Sequence, residues 1–138
     1  MTNSGMARAY RRQAGQILRQ AKDALEAGAF GLAVRRSQET VELSLKAVLR
    51  YAGIETPKWH DVGDILKESR SRFPESFSCQ IDRFAGYSAD LRRKRERGLY
   101  GDEEAGKGPD EIFDRAQAEE AISWAAEVVN ATVSLVGE

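Results

Sequence analysis

The densest chemistry in the chain lies at Arg92, Arg93, Lys94, Arg95 and Arg97, five cations around the single acid Glu96, followed by Gly98, Leu99 and Tyr100. Guanidinium groups meet phosphate oxygens through a planar, charge-assisted fork and stay protonated at any working pH. They therefore supply charge and orientation rather than a general base. Tyr100 adds a hydroxyl that ionises near pH ~10 unless perturbed, so it is a hydrogen-bond donor or a modification target. The only His, His60, precedes Asp61, whose carboxylate has the chemistry to orient an imidazole for acid–base work. At the start of a short helix the same pair more often caps exposed N–H groups and fixes the loop. Glu42 and Lys46 stand at i,i+4 in the order that favours a helix-surface or interface ion pair. Cys79, with Arg83 as its one nearby base, is expected to be an inert packing residue. One His and one Cys cannot furnish a zinc tetrad, and neither standard glycine-rich phosphate loop is present, so no metal or cofactor is expected.

Apolar spacing says what must position these groups. From about Met6 to Ala27, Tyr10, Ala14, Ile17, Leu18, Ala21 and Leu25 recur at helical period, and Gly28 suits the turn that ends such a helix. Phe30 opens a second, more apolar run through Val34, Val41, Leu45, Val48 and Leu49 to Gly53. The short connection makes the two an antiparallel hairpin. Thr56-Pro57 interrupts helix, and Asp61 then starts a short third one with Val62, Ile65 and Leu66. A fourth, after Pro74, carries Phe77, Ile81, Phe84, Ala85, Ser88 and Leu91 on one stripe and runs into the cations as far as Arg97, with Gly98 as terminator. Residues 98–110 hold four Gly and one Pro, and read as the one long loop. Asp114 and Gln117 can cap a fifth helix in which Ala118, Ile122, Ala125, Val129, Val133 and Val136 keep the period. The expected fold is all-α: an up-and-down antiparallel bundle of about five helices, one domain over 1–138 with its core at about 8–136. The small residues Ala14, Ala21, Ala118 and Ala125 permit close helix approach, within the chain or across a dimer. Trp59 and Trp124 are assigned to the core or a dimer seam rather than to exposed stacking platforms.

Charge is unevenly spread along these elements. The 138 residues sum to a formal net charge of -1, yet residues 1–101 carry +7 and residues 102–138 carry -8. Within the basic part, residues 1–22 hold Arg8, Arg11, Arg12, Arg19 and Lys22 with no acid. Such opposed fields either bind an anionic partner or neutralise each other across a packed interface. No apolar run approaches the roughly 20 residues that span a bilayer, and the start lacks a signal-peptide centre. No membrane association and a cytoplasmic location are the expectations.

Two stretches resemble a known family. RRSQETVELSLKAVLRYAGIETPKWHDVGDIL is similar to the core of HEPN domains, and LRRKRERGLYGD resembles the Arg-rich helix end and Tyr-Gly-Asp of many prokaryotic members. The resemblance covers roughly residues 8–136. It implies a helical bundle, commonly dimeric, that works on or near nucleotides and RNA. Many members pair with a minimal nucleotidyltransferase in toxin–antitoxin systems. Catalytic members are metal-independent ribonucleases with an Arg followed after four to six residues by His, and in one subgroup a Tyr two residues on. Arg93, Gly98 and Tyr100 reproduce that spacing with Gly in place of His.

Cleavage through a 2′-hydroxyl needs a group that exchanges a proton near neutrality, which Gly98 cannot do. The resulting expectation is a nucleotide- or RNA-phosphate-binding protein using Arg92, Arg93, Arg95, Arg97 and Tyr100, a non-catalytic partner of a nucleotidyltransferase and a homodimer. A helix dipole favours C-terminal cations by only about 0.3–1 kcal/mol each, and five exceed what a cap requires. Two other readings stay open: an interaction module with no nucleotide, and an active ribonuclease built on Arg93, Arg95, Tyr100 and His60 or completed by another chain. A metal-free RNA cleavage assay is expected to show little or no turnover; turnover abolished by Arg95→Ala would reverse that expectation.

Overall fold

The computed structural model describes residues 2–56, 61–108 and 111–138, with 98–100 described by backbone alone. Helix α1 (Asn3–Glu26) starts where Thr2 Oγ1 accepts the Gly5 N–H at 2.9 Å, and buries Ala7, Ala14, Leu18, Ala21 and Ala24. Its end is a Schellman turn: Ala29 N–H bonds the Ala24 carbonyl and Gly28 N–H the Leu25 carbonyl, with Gly28 at φ 76°. Only glycine takes that conformation without steric cost, and it reverses the chain directly into α2 (Phe30–Tyr51). The same bond pattern closes α2, from Ile54 to Leu49 and from Gly53 to Arg50.

Helix α2 is the centre of the molecule and packs against α1, α3 (Val62–Glu68), α5 (Ile81–Tyr100) and α6 (Arg115–Val136). Val34, Val41, Leu45, Val48 and Leu49 are fully buried, as their spacing predicts. Its buried hydroxyls at Ser37 and Thr40 return to the carbonyls of Ala33 and Arg36 at 2.8 Å, which satisfies them without a partner helix. Asp114 and Gln117 form the expected capping box of α6, with reciprocal bonds of 2.9 and 3.0 Å. Ala14, Ala21, Ala118 and Ala125 are all fully buried inside this chain, so close approach within the molecule uses them and a dimer seam does not.

Among the described residues there is no strand, and five helices exceed a single turn, which is the all-α bundle expected. Three boundaries differ from the sequence reading. The fourth helix is divided into a single turn, α4 (Glu75–Ser78), and α5. A tightened turn with Gln80 N–H on the Phe77 carbonyl at 2.9 Å separates them. It leaves Phe73, Phe77 and Phe84 in file, ring centroids 5.5 and 6.0 Å apart, and turns Cys79 out to solvent, so Cys79 is not a packing residue. Helix α5 also continues through Gly98 to Tyr100 and stops at Gly101, φ 75°. A helix tolerates one interior glycine at a cost of about 1 kcal/mol, whereas the left-handed stop requires one.

The loop therefore begins at Gly101. Backbone bonds of 2.9 Å in both directions between Asp102 and Lys107 pinch it, and Asp102 Oδ1 accepts the Ala105 N–H at 3.1 Å. Ile112 and Phe113 then return to the core. Among the described residues Phe84, 0% exposed, is the largest fully buried side chain, so Phe84→Ala is expected to cost about 3–5 kcal/mol in a denaturant titration.

Candidate functional site

The stripe Ile81, Phe84, Ala85, Ser88 and Leu91 holds α5 in the bundle, and the cations follow directly as the helix continues. One turn of register divides them. Arg92 and Arg95 face α2, Lys94 faces α6, and Arg93 and Arg97 face solvent.

On the α2 side a polar strip answers the arginines. Arg92 Nη2 donates to Glu42 Oε1 at 2.8 Å, and its Nη1 lies 3.8 Å from Asp61 Oδ2. Arg95 Nη1 donates to Gln38 Oε1 at 2.7 Å and to Glu39 Oε1 at 3.3 Å. Gln38 in turn donates to Glu42 at 3.1 Å, and Arg36 holds Glu39 at 2.9 Å. Burial pushes the Glu42 carboxyl up, but hydrogen bonds from Gln38 and Arg92 and the charges of Arg92 and Lys46 outweigh it, and it sits below its ordinary value. In place of a close Glu42–Lys46 ion pair, Glu42 turns to Arg92, a planar donor from α5, and Lys46 acts on it through its charge alone. Gln38, Glu42, Arg92, Arg95 and Glu96 line a groove of about 380 Å³ along this seam.

On the α6 side, Lys94 Nζ reaches Asp90 at 2.9 Å and Glu120 at 3.6 Å, and stands 4.9 Å over the Trp124 ring. Trp124 is only half-buried. It packs against the hydrophobic core from its edge and stacks on Tyr87 with centroids 4.6 Å apart and planes 7° from parallel. Burial raises the Tyr87 hydroxyl above the usual phenol range, and its 2.8 Å hydrogen bond to Glu127 raises it further, keeping it a donor.

Arg93, its side chain 70% exposed, touches Asp90 at 3.3 Å, and Arg97 is exposed with no ion pair among the described residues. Asp61 caps α3 by accepting the Gly63 N–H at 2.8 Å, the expected structural use of the pair it forms with His60. His60 and Trp59 lie outside the described residues, and so does the side chain of Tyr100. Gly101 and Asp102, which follow Tyr100, act as the stop of α5 and the pin of its loop. Among the described residues no group of three or more His, Cys, Asp or Glu is arranged to hold a metal ion, and no helix is long and apolar enough to cross a membrane.

Sequence reasoning missed Gln38 and Glu39 as partners of the cluster. The available signal was a polar i, i+1, i+4 strip, Gln38, Glu39 and Glu42, on a helix otherwise apolar on several sides.

A helical bundle with a central apolar helix and a basic extension of its penultimate long helix defines the class. The model of the HEPN domain matches residues 7–136, and the chain belongs to the HEPN domain family. The protein TT1696 from Thermus thermophilus, known from a crystal structure, shares the fold at a TM-score of 0.70 and 22% identity, over 93% of this chain and 96% of that one. No curated protein matches the chain.

A carboxyl whose pKa is depressed in the fold stabilises it fully above its unfolded value and loses that contribution as pH falls through the folded value. Stability is expected to decline below about pH 4.5, and Glu42→Gln to be less stable than wild type at neutral pH but to decline less over that acid interval. Denaturation midpoints measured across pH check this; parallel curves for the two proteins would refute it.

Proposed function

We propose that this HEPN protein binds nucleotide or RNA phosphate at the end of α5, as the non-catalytic, ribonuclease-like partner of a minimal nucleotidyltransferase in a toxin–antitoxin type system, and works as a homodimer. The observation that supports it most is the outward pair Arg93 and Arg97, two guanidiniums one helical turn apart with one exposed acid contact between them. Arg92 and Arg95 line the adjoining groove, already oriented by Gln38, Glu39 and Glu42, and a phosphate entering there competes with those carboxylates. Tyr100 completes the proposed set, and His60 has no assigned role. The division of labour is therefore uneven: Arg93 and Arg97 contact phosphate, while Arg92 and Arg95 chiefly fix the helix that presents them.

The neutralised half of the cluster favours a second reading, an interaction module in which α5 serves only packing and self-association. The two separate in one experiment. Anisotropy of a labelled single-stranded RNA is expected to show affinity falling steeply between 50 and 200 mM salt. Arg93→Gln/Arg97→Gln should weaken binding about tenfold and lessen the salt dependence, since each lost phosphate contact removes about 0.7 from the logarithmic slope. A flat salt response and an unchanged affinity in the double variant would favour the interaction module. Co-purification from the native host tests the nucleotidyltransferase and the dimer.

A further inference from the structure

Helix α1 carries a second basic surface that the α5 reading does not use. At 100° per residue, Arg8, Arg11, Arg12, Arg19 and Lys22 fall within an arc of about 100°, along about 21 Å of helix. Its buried face, Ala7, Ala14, Leu18 and Ala21, borders that arc on the Arg11 side, Leu18 lying about 20° from Arg11, so Arg8 and Arg11 are half-buried and the open side of the arc is that of Arg12, Arg19 and Lys22. None of the five makes an ion pair within 4 Å among the described residues, and Arg12, Arg19 and Lys22 are exposed. The Nε of Arg11 is buried without a hydrogen-bond partner. Gly15 sits in the middle of the stripe, where its missing side chain leaves a flat saddle crossed by the Arg11 guanidinium. Acids return only at its end, with Asp23 and Glu26.

The stripe also lies apart from the α5 cluster. Tyr10, Gln13 and Ile17 occupy the side of α1 that borders the α2 grooves. Arg8 instead lies against Gly137 at the end of α6.

We propose that this stripe docks the phosphate backbone of a double-stranded RNA segment. Charge complementarity carries the choice of a polyanion, because five unpaired cations in a row repel one another until an extended anion lies along them. About 21 Å of cations spans several successive phosphates of a duplex, whose charge density exceeds that of a single strand. No aromatic ring lies in the arc, so bases are not stacked there and a duplex, read through its backbone, fits better than a single strand. Of this chain's acids, Glu120 and Glu127 already hold Lys94 and Arg83 and Asp114 caps α6, while Glu103, Glu104 and Glu111 are exposed; a salt-sensitive self-association lost in the α1 variants, with no duplex binding, would assign the stripe to a second copy and overturn the proposal. An anionic membrane is disfavoured because the apolar face of α1 is buried in the bundle, with nothing left to insert. Only the choice of RNA over DNA rests on the reading of α5.

The experiment measures binding of a labelled 20-base-pair RNA duplex between 50 and 200 mM salt, with the matching DNA duplex and phosphatidylserine vesicles as separate arms. Arg12→Gln/Arg19→Gln/Lys22→Gln is expected to lower duplex affinity about tenfold or more and to reduce the magnitude of the salt slope by about 2 to 3. Arg19→Gln alone should reduce it by about one, a readout that survives if the triple variant fails to fold. Wild-type affinity and slope in both variants would overturn the proposal, as would binding to DNA or vesicles alone. Arg93→Gln/Arg97→Gln, tested alongside, reports on α5 separately: an effect there with none in the α1 variants removes this proposal and leaves the other standing.

Discussion

Everything in the bundle is arranged around one helix that has almost no free side. Because α1, α3, α5 and α6 all rest on α2, most polar groups on it are satisfied by itself or by a neighbour, the buried Ser44 hydroxyl being an exception. Ser37 and Thr40 use the preceding turn of their own helix. Gln38, Glu39 and Glu42 are met only in part within α2, by Arg36 on Glu39 and by the Gln38–Glu42 bond, and their remaining acceptor oxygens turn to cations from outside. Arg92 and Arg95 meet that requirement, so the cluster that looks like a ligand site is also part of what lets a charged strip sit beside the core. Arg92 extends the network to Asp61, drawing the cap of α3 into the same set of charges.

This constraint sorts the α5 cations by what surrounds them. Coulomb attraction is stronger and less screened where water is partly excluded, so Arg92, Arg95 and Lys94 are held in fixed geometry. Arg93 and Arg97 remain in high dielectric, where their interactions are weak, exchangeable and sensitive to salt. A surface that binds reversibly needs the second kind. A helix that must stay in place while it binds needs the first, and the six positions 92–97 supply both because successive residues point about 100° apart.

The long helices were legible because their apolar period is strong. The stripe from Ile81 to Leu91 and the cap at Asp114 appear where spacing puts them. Boundaries were less so. Gly98 and Gly101 are the same residue type three positions apart, and only the bond from Gly101 to Arg97 determines which one stops α5. Phe77 and Ile81 share a face in a continuous helix and also across a tight turn, so periodicity could not reveal the break at Gln80. The site was half legible: sequence located the cations and the faces they share, but each partner lies some fifty residues away along the chain, at Gln38, Glu39 and Glu42. Local patterns carry no information about such pairings.

The central position of α2 also imposes an order on how the molecule comes together. Helices α1 and α2 are joined only by the turn at Gly28, so their contact closes a short loop and requires little entropy. Helix α6, which covers another side of α2, is separated from it by α3, α4, α5 and the pinched loop, and closes a far longer one. During synthesis the hairpin is complete while the side of α2 that α6 covers still faces solvent, waiting for a helix not yet made. The interval between the two events, set by topology rather than by any single side chain, is when this chain is most exposed to aggregation and to chaperones.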